Sequence, residues 1–121
     1  MPISITTDYS THEYTQLAQS RPSGTSAVSL LSPSANERLL VGSIIIANTT
    51  GSPAGYSIYH DEDGSTYDET TTLAFGVSLD ANSLIELSFS IPMINTSGNL
   101  AIQTDTSNAL TFTAYGFKKK V

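Results

Sequence analysis

Apolar side chains in this chain return at every second residue, in short runs broken by turn-forming clusters, and this period most limits what it can fold into. In Leu84 to Ile91 the residues Ile85, Leu87, Phe89 and Ile91 alternate with Glu86, Ser88 and Ser90, as expected of a strand with one dry face and one wet face. Burying those four side chains would contribute roughly 1.5 to 3 kcal/mol each before chain entropy is subtracted, and this marks the segment as a central strand. The same alternation runs through Leu73, Phe75, Val77 and Leu79, and through Leu110, Phe112 and Ala114. Ala27 to Leu31, Tyr56 to His60 and Leu100 to Gln103 are shorter candidates. Leu39 to Ala47 is apolar at nearly every position, which fits a strand covered on both faces or one whose outer face meets a partner. Its three consecutive isoleucines and Gly42 disfavour a helix.

Clusters rich in Ser, Pro, Asn, Asp and Gly separate these runs, at Ser32-Pro33-Ser34, Asn48 to Gly55, Asp61 to Gly64, Asp80 to Ser83, Asn95 to Asn99 and Asp105 to Asn108. Seven candidate strands at short spacing, with nothing to supply crossover helices, predict an all-β antiparallel sandwich of about seven or eight strands, jelly-roll or immunoglobulin-like. The first 26 residues differ. Ile3 and Ile5 alternate with Ser4 and Thr6 as a short strand, and the rest is polar. The expected organisation is an extended arm over residues 1–26, a sandwich over 27–117 and a basic tail over 118–121.

With 121 residues and no cysteine, one domain is expected, held by packing alone. Thiol catalysis, zinc-thiolate sites and redox switching are excluded with the cysteine. The longest apolar run, Ile44 to Ala47, is far too short to cross a bilayer. The N-terminal residues lack the basic and apolar stretches of a secretory signal, so the chain is expected to stay in the cytoplasm after synthesis. Eleven carboxylates oppose five basic residues for a formal charge of -6, and removing the terminal Lys118, Lys119 and Lys120 leaves -9. Such a body repels phosphate backbones, so no nucleic-acid partner and no membrane partner are expected. The Lys run reads as a solvated end or as a contact for an acidic neighbouring subunit.

No residue set points to chemistry. The only imidazoles are His12 and His60, neither within a motif that would pair it with a nucleophile, and no enzymatic activity or cofactor is expected. Five carboxylates fall within residues 61–69, but the EF-hand spacing fails. With Gly64 at the sixth position, Tyr59 would stand first and Thr70 twelfth. A non-EF calcium loop on Asp61, Asp63 and Asp68 is the alternative to a hydrated turn on Asp63-Gly64 in which Gly supplies a positive φ. The turn is the preferred reading, with no metal site. Asn48-Thr49-Thr50 and Asn95-Thr96-Ser97 match the glycosylation pattern, without meaning in a chain lacking a secretory signal.

The segments Ala47-Asn48-Thr49-Thr50-Gly51, Tyr56 to Gly64, Tyr67-Asp68, Asn99-Leu100 and Asn108 to Gly116 together resemble a β domain recurrent in tailed-bacteriophage virion proteins. The resemblance spans about residues 40–117. It implies a virion structural protein, foremost a capsid decoration or cement protein that is trimeric and reinforces the major capsid protein lattice; a tail, neck or fibre module with a receptor-binding role is the runner-up. A carbohydrate-binding sandwich is a third reading, disfavoured by the absence of Trp. In that setting Ile3, Ile5, Tyr9, Tyr14, Tyr59, Lys118, Lys119 and Lys120 are the candidate subunit-interface residues: the isoleucines for strand addition, the tyrosines as amphipathic anchors, the lysines for an acidic neighbour.

Overall fold

The computed structural model describes residues 13–121, so Ile3, Ile5, Tyr9 and His12 lie outside the described residues. Eight strands form: β1 (Thr15–Ser20), β2 (Val28–Leu31), β3 (Glu37–Asn48), β4 (Ala54–Asp61), β5 (Thr72–Leu79), β6 (Ser83–Met93), β7 (Asn99–Thr104) and β8 (Leu110–Lys120). All seven strands expected from the apolar period are present, and all six turn clusters fall at connections or strand ends. Three connections use an asparagine in the left-handed region, Asn36, Asn82 and Asn108, where its short polar side chain is better tolerated than most.

The pairing is a set of nested antiparallel ladders. β1 pairs with β8, β2 with β7, β3 with β6 and β4 with β5, as in one long hairpin. Rolling that hairpin up adds the pairs β3–β8 and β4–β7 and yields two four-stranded sheets, β1-β8-β3-β6 and β2-β7-β4-β5. This order is the jelly roll, so of the two sandwich forms expected the structure takes that one. The core lies between the sheets. Val41, Ile44 and Ile46 of β3, Phe112 of β8, Ile58 of β4 and Leu100 and Ile102 of β7 are fully enclosed there.

Four features depart from the sequence reading. β1 lies within the segment expected as an arm, because an edge strand is held by backbone hydrogen bonds that any residue can supply. Leu17 is its partly buried apolar anchor. β8 continues through Lys118 to Lys120, paired with Glu37 to Leu39, so the basic run is strand. β6 is an edge strand and not a central one; its inward residues Ile85, Leu87 and Phe89 are only half-buried, and Leu84 on its outer face is 66% exposed. Finally, Leu73 and Phe75 of β5 face solvent.

The last difference has a covalent-geometry cause. Tyr56 stands opposite Val77 and Ile58 opposite Ala74, while Tyr59 stands opposite Thr72, so β5 holds two more residues than β4 over this stretch. Gly76 takes φ +60 at the first of these bulges, a conformation glycine adopts without strain. Ala74 and Leu79 both reach the core, whereas Leu73 and Phe75 are turned outward.

Candidate interaction surface

The sandwich has two ends. The connections β1–β2, β3–β4, β5–β6 and β7–β8 lie at one, and β2–β3, β4–β5 and β6–β7 at the other, together with the chain's C-terminus. At the first end Asn48 is buried and ties the β3–β4 connection to the β5–β6 connection: its amide donates to the carbonyls of Ser52, Leu79 and Asp80, and its Oδ1 accepts from the Thr50 amide and hydroxyl. The sequon at Asn48 is thus a structural hub. Arg21 is at the same end, donating to the Asn108 carbonyl at 2.6 Å and to Thr49 Oγ1 at 3.1 Å. Asp105 accepts from the Gly55 amide at 2.8 Å and from the Thr106 hydroxyl, and these bonds hold its carboxyl below the usual carboxylate range.

The second end carries most of the charge. Asp61 ends β4 and the β4–β5 loop after it holds Glu62, Asp63, Asp68 and Glu69, and three of these five carboxylates serve the backbone. Asp61 accepts from the amides of Thr66 and Asp63, Glu62 from those of Ile94 and Asn95, with His60 Nε2 lying 3.1 Å from its other oxygen, and Asp68 from the Thr70 amide and hydroxyl. The Thr66 amide foremost lowers the pKa of Asp61, and the Thr70 hydroxyl that of Asp68. Among the described residues no three His, Asp or Glu side chains converge on one point. The expected positive φ at Gly64 is not found: Gly76 is the described glycine with positive φ, and side-chain caps shape the loop instead.

On the outer face of the first sheet at this same end, β3 and β8 place Leu40 opposite Phe117 and Arg38 opposite Lys119. With Leu39 they line a groove of about 270 Å³. Tyr14 closes its side, its ring meeting Phe117 edge-on at 5.1 Å and its hydroxyl 2.9 Å from Ser43 Oγ. Leu40 and Phe117 stay partly exposed, so the groove has an apolar floor and a basic rim.

The candidate interface residues divide accordingly. Tyr14 and Lys119 come together at this groove, whereas Lys118 and Lys120 stand on the opposite face of the ladder, Lys118 Nζ lying 3.9 Å from Glu37 Oε2. Tyr59 does not join them. It is 2% exposed, its hydroxyl donates to Gln103 Oε1 at 2.6 Å, and Tyr67 lies over its ring. Its place is internal because β4 is flanked by β7 and β5 and its outer face there is roofed by the β4–β5 loop. Leu40, Phe117 and Arg38 were missed from sequence, where no local signal shows that the start of β3 lies beside the end of β8. A second, larger groove of about 420 Å³ lies on the outer face of the other sheet between Phe75, Gln103, Ser57 and Thr25.

No protein-family model matches the chain, and no curated protein sequence matches it. Solved structures do. A chain of the T13 IBDV viral particle superposes with TM-score 0.53 at 15% identity, over 90% of this chain and 31% of that one. The Tobacco streak virus coat protein superposes with TM-score 0.51 at 9% identity, over 92% of this chain and 87% of the coat protein. This chain spans about a third of the IBDV chain and nearly all of the coat protein. At these identities the likeness is one of fold, and it assigns the sandwich to the architecture used by both viral proteins.

Proposed function

We infer that the chain is a virion structural protein, and that within the particle it acts as a phage capsid decoration or cement protein bound to the major capsid protein. The observation that carries this reading is the eight-stranded jelly-roll sandwich, whose fold superposes on one viral particle chain and one coat protein. The phage setting rests on the resemblance in residues 40–117. The described residues expose Tyr14, Leu40, Phe75 and Phe117, the aromatic and aliphatic residues that interfaces use. A protein that binds only the assembled shell stabilises it by mass action, with no chemistry required. In this reading residues 1–12 reach a neighbouring subunit, Ile3 and Ile5 adding to a sheet edge, within a trimer.

The test adds the purified chain to particles lacking it and follows heat-induced genome release, together with a map of the intact particle. Decoration predicts saturable binding, hundreds of copies on the shell and release at higher temperature. A dozen or fewer copies, placed away from the shell, would transfer the chain to the tail or neck, and no binding to any particle would end the virion reading.

A further inference from the structure

The basic-rimmed groove has an unusual electrostatic feature. Arg38 and Lys119 are direct partners across the β3–β8 ladder, both exposed on the outer face. Like charges placed directly opposite on one face of a sheet repel, and in a body this acidic an opposite charge could have stood at either position. Of the chain's five cations, Arg38 and Lys119 stand on this face, Lys118 and Lys120 leave the same end of β8 on its other face, and the fifth, Arg21, is engaged at the other end of the sandwich. An occupant carrying carboxylates would turn the repulsion into attraction, while Leu40 and Phe117 supply apolar contact beneath it.

We propose that this groove receives the acidic β4–β5 loop of a second copy of the chain. The loop carries four of the chain's eleven carboxylates, with a fifth, Asp61, at the end of β4, and Asp63 and Glu69 are exposed. It leaves the second sheet at the same end at which the groove opens on the first sheet. Groove and loop are therefore different surfaces on opposite sides of one end, and a contact between them is heterologous. Repeated by rotation, such contacts close into a ring. This self-association goes beyond the virion reading and stands or falls without any particle.

Sedimentation of the full chain in about 50 mM salt is the test, since screening is weak there and strong near 1 M. Wild type should sediment as a multiple of 12.8 kDa and dissociate as salt rises. R38E/K119E and D63K/E69K should each weaken association by about tenfold or more, and the chain bearing all four changes should recover it. Circular dichroism checks the fold. Should a reversal variant unfold, R38Q/K119Q relieves the like-charge pair and should melt no lower than wild type while still losing assembly, which a merely structural role would not produce. A wild-type chain that remains 12.8 kDa at all concentrations would overturn the proposal, as would reversals that leave the mass unchanged. Assembly lost on removing residues 1–12 but unaffected by the loop reversal would give the groove to that segment. Failure of the fourfold variant to recover would give it to a different acidic partner.

Discussion

In β3 the register shift falls at Gly42, and the phase change there turns Leu39 and Val41 before it and Ile44 and Ile46 after it into the core. In β5 the extra residues fall around Leu73 and at Gly76, and the phase changes turn Leu73 and Phe75 out to solvent. The two strands have similarly apolar sequences and both carry bulges, yet one hides its side chains and the other shows them. The difference is position. β3 is flanked on both sides, by β8 and β6, so an irregularity there must be matched across the sheet. It is matched: β1 shifts against β8 between Gln16 and Ala18, and β6 shifts against β3, at the same level. β5 is an edge with one partner, and its bulges need no answer beyond β4. Bulges at an edge also twist it away from further pairing, so the exposed apolar residues of β5 lie on a strand poorly shaped to add another.

The largest effect that separates the two strands should come from truncating their apolar residues. Ile44→Ala removes a fully enclosed side chain of β3 and should cost about 2 to 5 kcal/mol. Phe75→Ser in β5, where the ring is 57% exposed, should stay within about 0.5 kcal/mol. Urea unfolding of both variants reads the contrast directly. A loss at Phe75 comparable to that at Ile44 would mean that β5 is covered in solution and that the comparison has been drawn on the wrong surface.

This contrast also marks how far the sequence could be read. Alternation identifies a strand and its two faces, because successive side chains must point opposite ways; seven strands and their turns were legible on that ground. Alternation does not say which strands are neighbours, so Ile85, Leu87 and Phe89 suggested a central strand although β6 is an edge. Nor does it show a bulge, since one extra residue moves every later side chain to the other face without altering the apolar count. Leu39 to Ala47 looked covered on both faces because two inward-facing halves of opposite phase were joined at Gly42. β1 escaped notice because Thr15, Gln16, Gln19 and Ser20 carry no apolar period, and backbone bonds to β8 hold it. At the groove, the charge of Lys118 to Lys120 was legible. Its pairing with Arg38 was not, because about eighty residues separate the partners.

The two glycines sharpen the comparison further, since each is needed for a different reason. Gly76 is a backbone requirement: at φ +60 with open space around it, a β-branched side chain is strained whatever room it has. Gly76→Val should cost about 1 to 2 kcal/mol and Gly76→Asn clearly less, because Asn tolerates the left-handed region. The Gly76 amide donates to Ser57 Oγ at 2.9 Å, and both variants can keep that bond. Equal melting of the two variants would show that the edge relaxes out of the bulge, and that β5 is softer than β3 in a second sense.

Gly42 is a space requirement instead. A Cβ there would stand 2.9 Å from Tyr14 Cε1 and 3.0 Å from its hydroxyl, closer than such atoms pack, while the backbone itself is not left-handed. Because Tyr14 is a half-exposed side chain, it can swing away, giving up its hydrogen bond to Ser43 and its edge contact with Phe117. Each of those is worth about 1 kcal/mol at most in a partly solvated place, so Gly42→Ala should cost about 1 kcal/mol, the smallest of the three effects. The cause is separable in a double-mutant cycle with Tyr14→Ala. If the ring is the obstacle, Gly42→Ala should cost nothing once the ring is gone, and the two changes together should cost no more than Tyr14→Ala alone. Additive losses would place the constraint in the sheet itself, making the central bulge as dependent on backbone freedom as the one at the edge.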